Sequence, residues 1–237
     1  MLRELCCVCF SLLLIRQTLS LSCSTPCTSI DVRNQYYEGI RSDTTRNFVE
    51  VKNNASPFPV PGNAVMIIQM QDGNMDFSNT PSYGSNLDPE LAGRYEFNVI
   101  SQTERNIAGE SYYVSLALSL QNEYSAGDND KFQVISFPLC GSVSLSAAPD
   151  LWEPWNGNTG GVFVLLAQQI TFQTDIIMTG EGFRGGEDSI APIPFPNNPP
   201  VEFAAQPRPV SPDGSKGEGF NANLFSWARS FACSFFL

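Results

Sequence analysis

Tyr112-Tyr113-Val114-Ser115-Leu116-Ala117-Leu118-Ser119-Leu120 is the stretch that decides the fold class. Tyr112, Val114, Leu116, Leu118 and Leu120 fall on one side of an extended chain, and Tyr113, Ser115, Ala117 and Ser119 on the other. A period of two is that of a pleated strand with one buried face, whereas a helix would repeat every three to four residues. Outward from this stretch the pattern recurs. Tyr95, Phe97 and Val99 alternate with Glu96 and Asn98, and the runs Phe132 to Phe137 and Val143-Ser144-Leu145 continue it. Ala64-Val65-Met66-Ile67-Ile68-Gln69-Met70 is apolar almost throughout and reads as a buried strand. Asp72-Gly73-Asn74 and Gly127-Asp128-Asn129-Asp130 separate these runs, and such residues favour turns. Residues 23–150 are therefore expected to form an all-β domain, a sandwich or barrel.

From Gly160 the texture changes. Val162 to Ala167, Ile170-Thr171-Phe172 and Ile176-Ile177-Met178 are short apolar runs at close intervals, ending at Gly180-Glu181-Gly182-Phe183-Arg184-Gly185-Gly186. Short strands with few residues between them suit a coil of parallel strands in which each rung covers the next. Residues 151–186 are expected to be the first rungs of such a parallel β-coil, β-helix-like. Trp152 and Trp155, on either side of Glu153-Pro154, are expected to plug its junction with the preceding domain. The glycines of 182–186 lack the Lys-Ser/Thr of a phosphate loop and read as turns. Residues 187–237 form a Pro/Gly-rich tail, whose last stretch, Asn223 to Leu237, is apolar and aromatic.

The composition fits an extracellular β protein. The 237 residues are 42% hydrophobic and only 16% charged, against roughly 25% charged in an average soluble protein. Gly (18) and Pro (17) break helices and mark turns. A net charge of −11 repels phosphate backbones, so no nucleic-acid partner is expected. Histidine is absent, which removes Ser-His-Asp and Cys-His catalysis within this chain and the commonest zinc ligand. No cofactor is expected. Calcium is the one candidate, from the alternating oxygen ligands Asp72, Asn74 and Asp76, or Asp128 and Asp130, although the EF-hand pattern is missing.

Residues 1–22 read as a signal peptide: Arg3, an apolar run from Leu5 to Ile15, and small residues in Ser20-Leu21-Ser22. The run is shorter than the roughly 20 residues of a membrane span, so no transmembrane segment is expected after cleavage. Cleavage removes Cys6, Cys7 and Cys9 and leaves Cys23, Cys27, Cys140 and Cys233, which an exported protein can oxidise. The spacing favours a bond involving Cys23 or Cys27, with Cys140 as a long-range partner. Asn54-Ala55-Ser56 fits a glycosylation sequon, which matters only in a eukaryotic secretory route.

Val65-Met66-Ile67-Ile68-Gln69-Met70-Gln71, then Ala92-Gly93-Arg94-Tyr95-Glu96-Phe97, Trp155-Asn156-Gly157-Asn158-Thr159-Gly160-Gly161-Val162 and Gly180-Glu181-Gly182-Phe183-Arg184-Gly185-Gly186 occur in that order. This resembles the N-terminal region of large secreted, adhesin-like surface proteins of Bacteroidota, over roughly Cys27 to Gly219. In that family a glycine-rich stretch and further domains, ending in a sorting domain, usually follow the Lys216-Gly217-Glu218-Gly219 region. Against that pattern the chain reads as a truncated or short member, and without the sorting domain it is expected in the periplasm. The resemblance implies a non-enzymatic secreted or cell-surface structural or adhesion module, with extracellular polysaccharide or other surface proteins as partners. The alternative is a carbohydrate-binding module on Trp152 and Trp155, or a carbohydrate-active enzyme on a β-coil that adds the carboxylates Asp150 and Glu153.

Overall fold

The computed structural model describes residues 26–28, 31–53, 58–72, 91–127, 130–146 and 151–183, and the backbone of 233–236. Among these residues every regular element is a strand. They are β1 (Pro26–Cys27), β2 (Gln35–Asp43), β3 (Phe48–Lys52), β4 (Ala64–Gln71), β5 (Tyr95–Arg105), β6 (Ser111–Leu116), β7 (Lys131–Phe137), β8 (Cys140–Leu145), β9 (Val162–Leu165), β10 (Ala167–Phe172) and β11 (Cys233–Phe236). The chain is all-β there, as its periodicity predicts.

Six antiparallel strands close into a barrel in the order β2-β3-β6-β5-β4-β7. The register slips by a residue between Gly39 and Arg41 on β2, between Gln69 and Gln71 on β4, and between Ile100 and Gln102 on β5. Such bulges bend and twist a strand, which is what closing a small sheet on itself requires. Tyr37, Val49, Val51, Val65, Ile67, Val114, Phe132 and Val134 are among the side chains that fill the interior. The apolar run of β4 is explained by burial on both sides. Val65 and Ile67 point into the barrel, while Ala64, Met66 and Ile68 pack outside it against Val162, Val164 and Leu166.

The remaining strands build a layer on that outer wall. β1, β8 and β10 form a parallel sheet in the order β1-β8-β10, and β9 pairs in parallel with β11. β9 lies between the barrel and the parallel sheet. Val162 and Val164 face the barrel wall, and Phe163 and Leu165 face Val143, Leu145 and Leu151. All four side chains are buried.

Several expectations are corrected at the level of single elements. The strand read through Leu120 ends at Leu116, because the chain turns in to close one end of the barrel with Leu120 and Tyr124. Asn47, in the left-handed region at φ 58°, enforces that turn. Its amide donates to Leu116 O at 2.8 Å, and its Oδ1 accepts from Leu120 N at 2.7 Å. The run Val162 to Ala167 breaks at Leu166 into β9 and β10, and Ile176-Ile177-Met178 forms no strand. Residues 233–236, read as part of a tail, form β11.

Candidate functional site

Trp152, Trp155 and the Asn156–Gly161 stretch singled out from the sequence lie on the approach to β9. Asn156 opens a tight turn: its Oδ1 accepts from the backbone N–H groups of Asn158 and Thr159 at 2.9 and 3.0 Å. Gly160 follows at φ 93°, and a Cβ there would lie 2.2 Å from the carbonyl oxygen of Pro154. Only glycine fits, since a side chain would meet both the backbone strain and the carbonyl. Gly161 N donates to Glu153 O, and Trp155 N donates to Glu181 O at 2.7 Å. The Trp-Asn-Gly-Asn-Thr-Gly-Gly stretch is thus a turn that delivers the chain into β9.

The edge of β9 nearest the barrel is held by side chains. Gln133 brackets Gly160, donating to its carbonyl at 3.0 Å and accepting from its N–H at 2.8 Å. The Tyr36 hydroxyl donates to Val162 O. Asn34 brackets Val164, donating to its carbonyl at 2.7 Å and accepting from its N–H at 2.6 Å. Burial pushes the Tyr36 hydroxyl well above the ordinary tyrosine range, so it stays protonated as a donor. Asn34 and Gln133 are buried, and each satisfies both main-chain groups of its partner as a neighbouring strand would. Gln69, inside the barrel, does the same for Ser125, as does Asn98 for Leu118.

Trp155 is 4% exposed and meets Phe183 edge-on, with ring centroids 5.3 Å apart. Its indole N–H has no acceptor among the described residues. Trp152 is half-buried, lies 5.5 Å from the Phe163 ring, and touches the clusters on both sides of β9. Glu153 is exposed and pairs loosely with Arg33 at 3.9 Å. Asp150 lies outside the described residues, so its distance to Glu153 is not defined. Asn74, Asp76, Asp128 and Arg184 to Gly186 also lie outside them, and Asp130 accepts from Ser125 Oγ at 3.1 Å. Among the described residues no three His, Cys, Asp or Glu side chains are grouped as a metal site, and no helix is long and apolar enough to cross a membrane.

Cys27 and Cys140 form a disulfide with a Cα separation of 5.7 Å, joining β1 to β8. Of the two partners that spacing favours for Cys140, Cys27 is the one used; Cys23 lies outside the described residues.

Two features that periodicity does not reveal lie on the barrel. Glu50, buried on β3, accepts from Arg41 Nε at 2.7 Å and Ser111 Oγ at 2.6 Å. Burial pushes its carboxyl up, but these bonds and the Arg41 charge outweigh that and hold it below the usual range. Arg41 in turn lies over the rings of Phe48 and Tyr113, at 5.1 and 5.9 Å. A half-open hollow of about 220 Å³ sits among Glu38, Gly39, Lys52, Asp130, Lys131 and Phe132, where Lys52 is ion-paired with Glu38. The only sequence signals for these groups are single charges inside strands, which read equally well as solvent-facing positions. No protein family, curated protein or solved structure matches the chain.

Proposed function

We propose that this chain is an exported, non-enzymatic structural or adhesion module that works at or outside the cell surface. The observation that carries this reading is the use made of its buried polar side chains. Asn34, Gln69, Asn98 and Gln133 all bond to backbone, Asn34 to β9 and the other three to irregular segments, and hold them against a filled barrel. That is the chemistry of a rigid scaffold. The Cys27–Cys140 disulfide supports an oxidising compartment, extracellular or periplasmic. The resemblance to adhesin-like surface proteins of Bacteroidota agrees with this role, with extracellular polysaccharide or other surface proteins as partners. In the same reading β8, β9 and β10 make one turn of a coil. Partners on β8 and β10 are offset by 27 residues throughout, from Cys140 with Ala167 to Leu145 with Phe172.

Two experiments test this. On expression in a host with an oxidising periplasm, the protein is expected outside the cytoplasm, lacking the peptide from Leu5 to Ile15 and with Cys27 linked to Cys140. Mass spectrometry of the fractionated cells reads all three. Cytoplasmic material with an intact Met1 would overturn the export reading. The second addresses the carbohydrate alternative. Trp155→Ala is expected to cost about 3 kcal/mol, as truncation of a buried aromatic does. An unchanged denaturation midpoint together with lost sugar affinity would instead make Trp155 a sugar platform.

A further inference from the structure

β9 has two unlike edges. Main-chain groups of successive residues in a strand point to opposite edges. Those of Gly160, Val162 and Val164 face Gln133, Tyr36 and Asn34, which close that edge without a strand. Those of Phe163 and Leu165 therefore face the other way, where β11 lies in parallel register: Cys233 with Val162, Ser234 with Phe163, Phe235 with Val164 and Phe236 with Leu165. Both faces of β9 are already buried, against the barrel and against the parallel sheet. A strand added on the open edge thus extends a finished core, and β9 has no need to rearrange. Among the described residues the pairing spans four positions, against seven register pairs between β4 and β7 in the barrel. Parallel pairing is also slightly weaker per residue.

We infer that the open edge of β9 is a strand-acceptor site. It takes an extended apolar segment as an added parallel strand, and Cys233–Phe236 is a displaceable occupant that an equivalent strand of another polypeptide can replace. Recognition is by main-chain hydrogen bonds, so the incoming segment must be extended and free of proline where it pairs. The inference adds to the surface-module reading a means of taking a partner, and its geometry does not depend on export.

The probe is a fluorescent peptide of residues 231–237 with a solubilising lysine tag. It is titrated into the oxidised full chain and into the full-chain Ser234→Pro/Phe235→Pro variant. Of two successive N–H groups one faces β9, so the double substitution removes a ladder donor whichever it is. The peptide is expected to bind the variant at least tenfold more tightly than the wild type, and a proline-substituted peptide is expected to bind neither. Equal affinity for the two proteins, or no binding to a variant whose Ala64–Gln71 amides remain protected, would overturn the inference. Should the variant fail to fold, the wild type alone decides. Saturating peptide must speed exchange of the Ser234 to Phe236 amides while those of Phe163 and Leu165 stay protected, and unchanged exchange at 234–236 overturns the displaceable occupant. Because these readouts use purified protein, their failure leaves the export experiment untouched.

Discussion

Replacing Cys27 and Cys140 together with alanine is expected to lower stability by about 4 kcal/mol, among the largest effects of any change to this chain. The two cysteines are 113 residues apart, so the bond closes a loop that contains the whole barrel. In the chain-entropy account a loop of that length restricts the unfolded state by about 4–5 kcal/mol. There is a local part as well. Among the described residues β1 is two residues long and pairs with β8 at Ser142 and Val143, and the disulfide reinforces that short pairing. Cys140 is buried with Val143, Leu145 and Phe163, and truncating it loosens that cluster. Denaturant melts of the oxidised protein and the double variant check this. A loss of unfolding free energy smaller than about 1 kcal/mol would mean that the layer outside the barrel holds without its staple.

The second large effect belongs to Phe132. Its side chain is fully buried in the barrel, 5.7 Å from the Tyr124 ring, and its own ring covers Gly39 so closely that a Cβ at residue 39 would lie 2.3 Å from it. Phe132→Ala is expected to cost about 4 kcal/mol through lost burial and a residual cavity. Gly39→Ala alone is expected to cost about 1–3 kcal/mol by overpacking, because the new methyl would overlap the Phe132 ring. Combined, the two changes should cost less than their sum, because the added methyl enters space the ring has left. Urea midpoints of the four proteins of this cycle give the coupling. Additive costs would show that Gly39 is there for the β2 bulge alone and not for Phe132.

Strand character was legible wherever one face met the core and the other met water. Tyr112 to Leu116 is such a case, with Tyr112, Val114 and Leu116 buried and Tyr113 and Ser115 half-buried. Legibility fails where a third element intervenes. Leu118 and Leu120 continue the alternation on paper, yet Asn47 and Asn98 take hold of their main chain and turn it across the barrel end. Ile176-Ile177-Met178 is as apolar as β9 but forms no strand. The candidate site was partly visible. Trp152, Trp155, Gly160 and Gly161 stand out by residue type, whereas Asn34, Tyr36 and Gln133, which hold the β9 edge, look like ordinary polar or half-buried positions.

The sequence by itself determined the all-β class, the places where strands begin near turn residues, and a short set of cysteines from which Cys27 and Cys140 were drawn. Periodicity, glycine and proline act over a few residues, so a local pattern suffices for them. Tertiary structure alone decided that six strands close into a barrel, that β10 runs parallel to β8, and that β9 is buried on both faces. It also decided that amides at 34 and 133 stand in for a missing strand. Strand partners and registers join residues far apart in the chain, and a buried amide is stable only when a specific backbone group meets it. Neither condition leaves a trace within a window of ten residues.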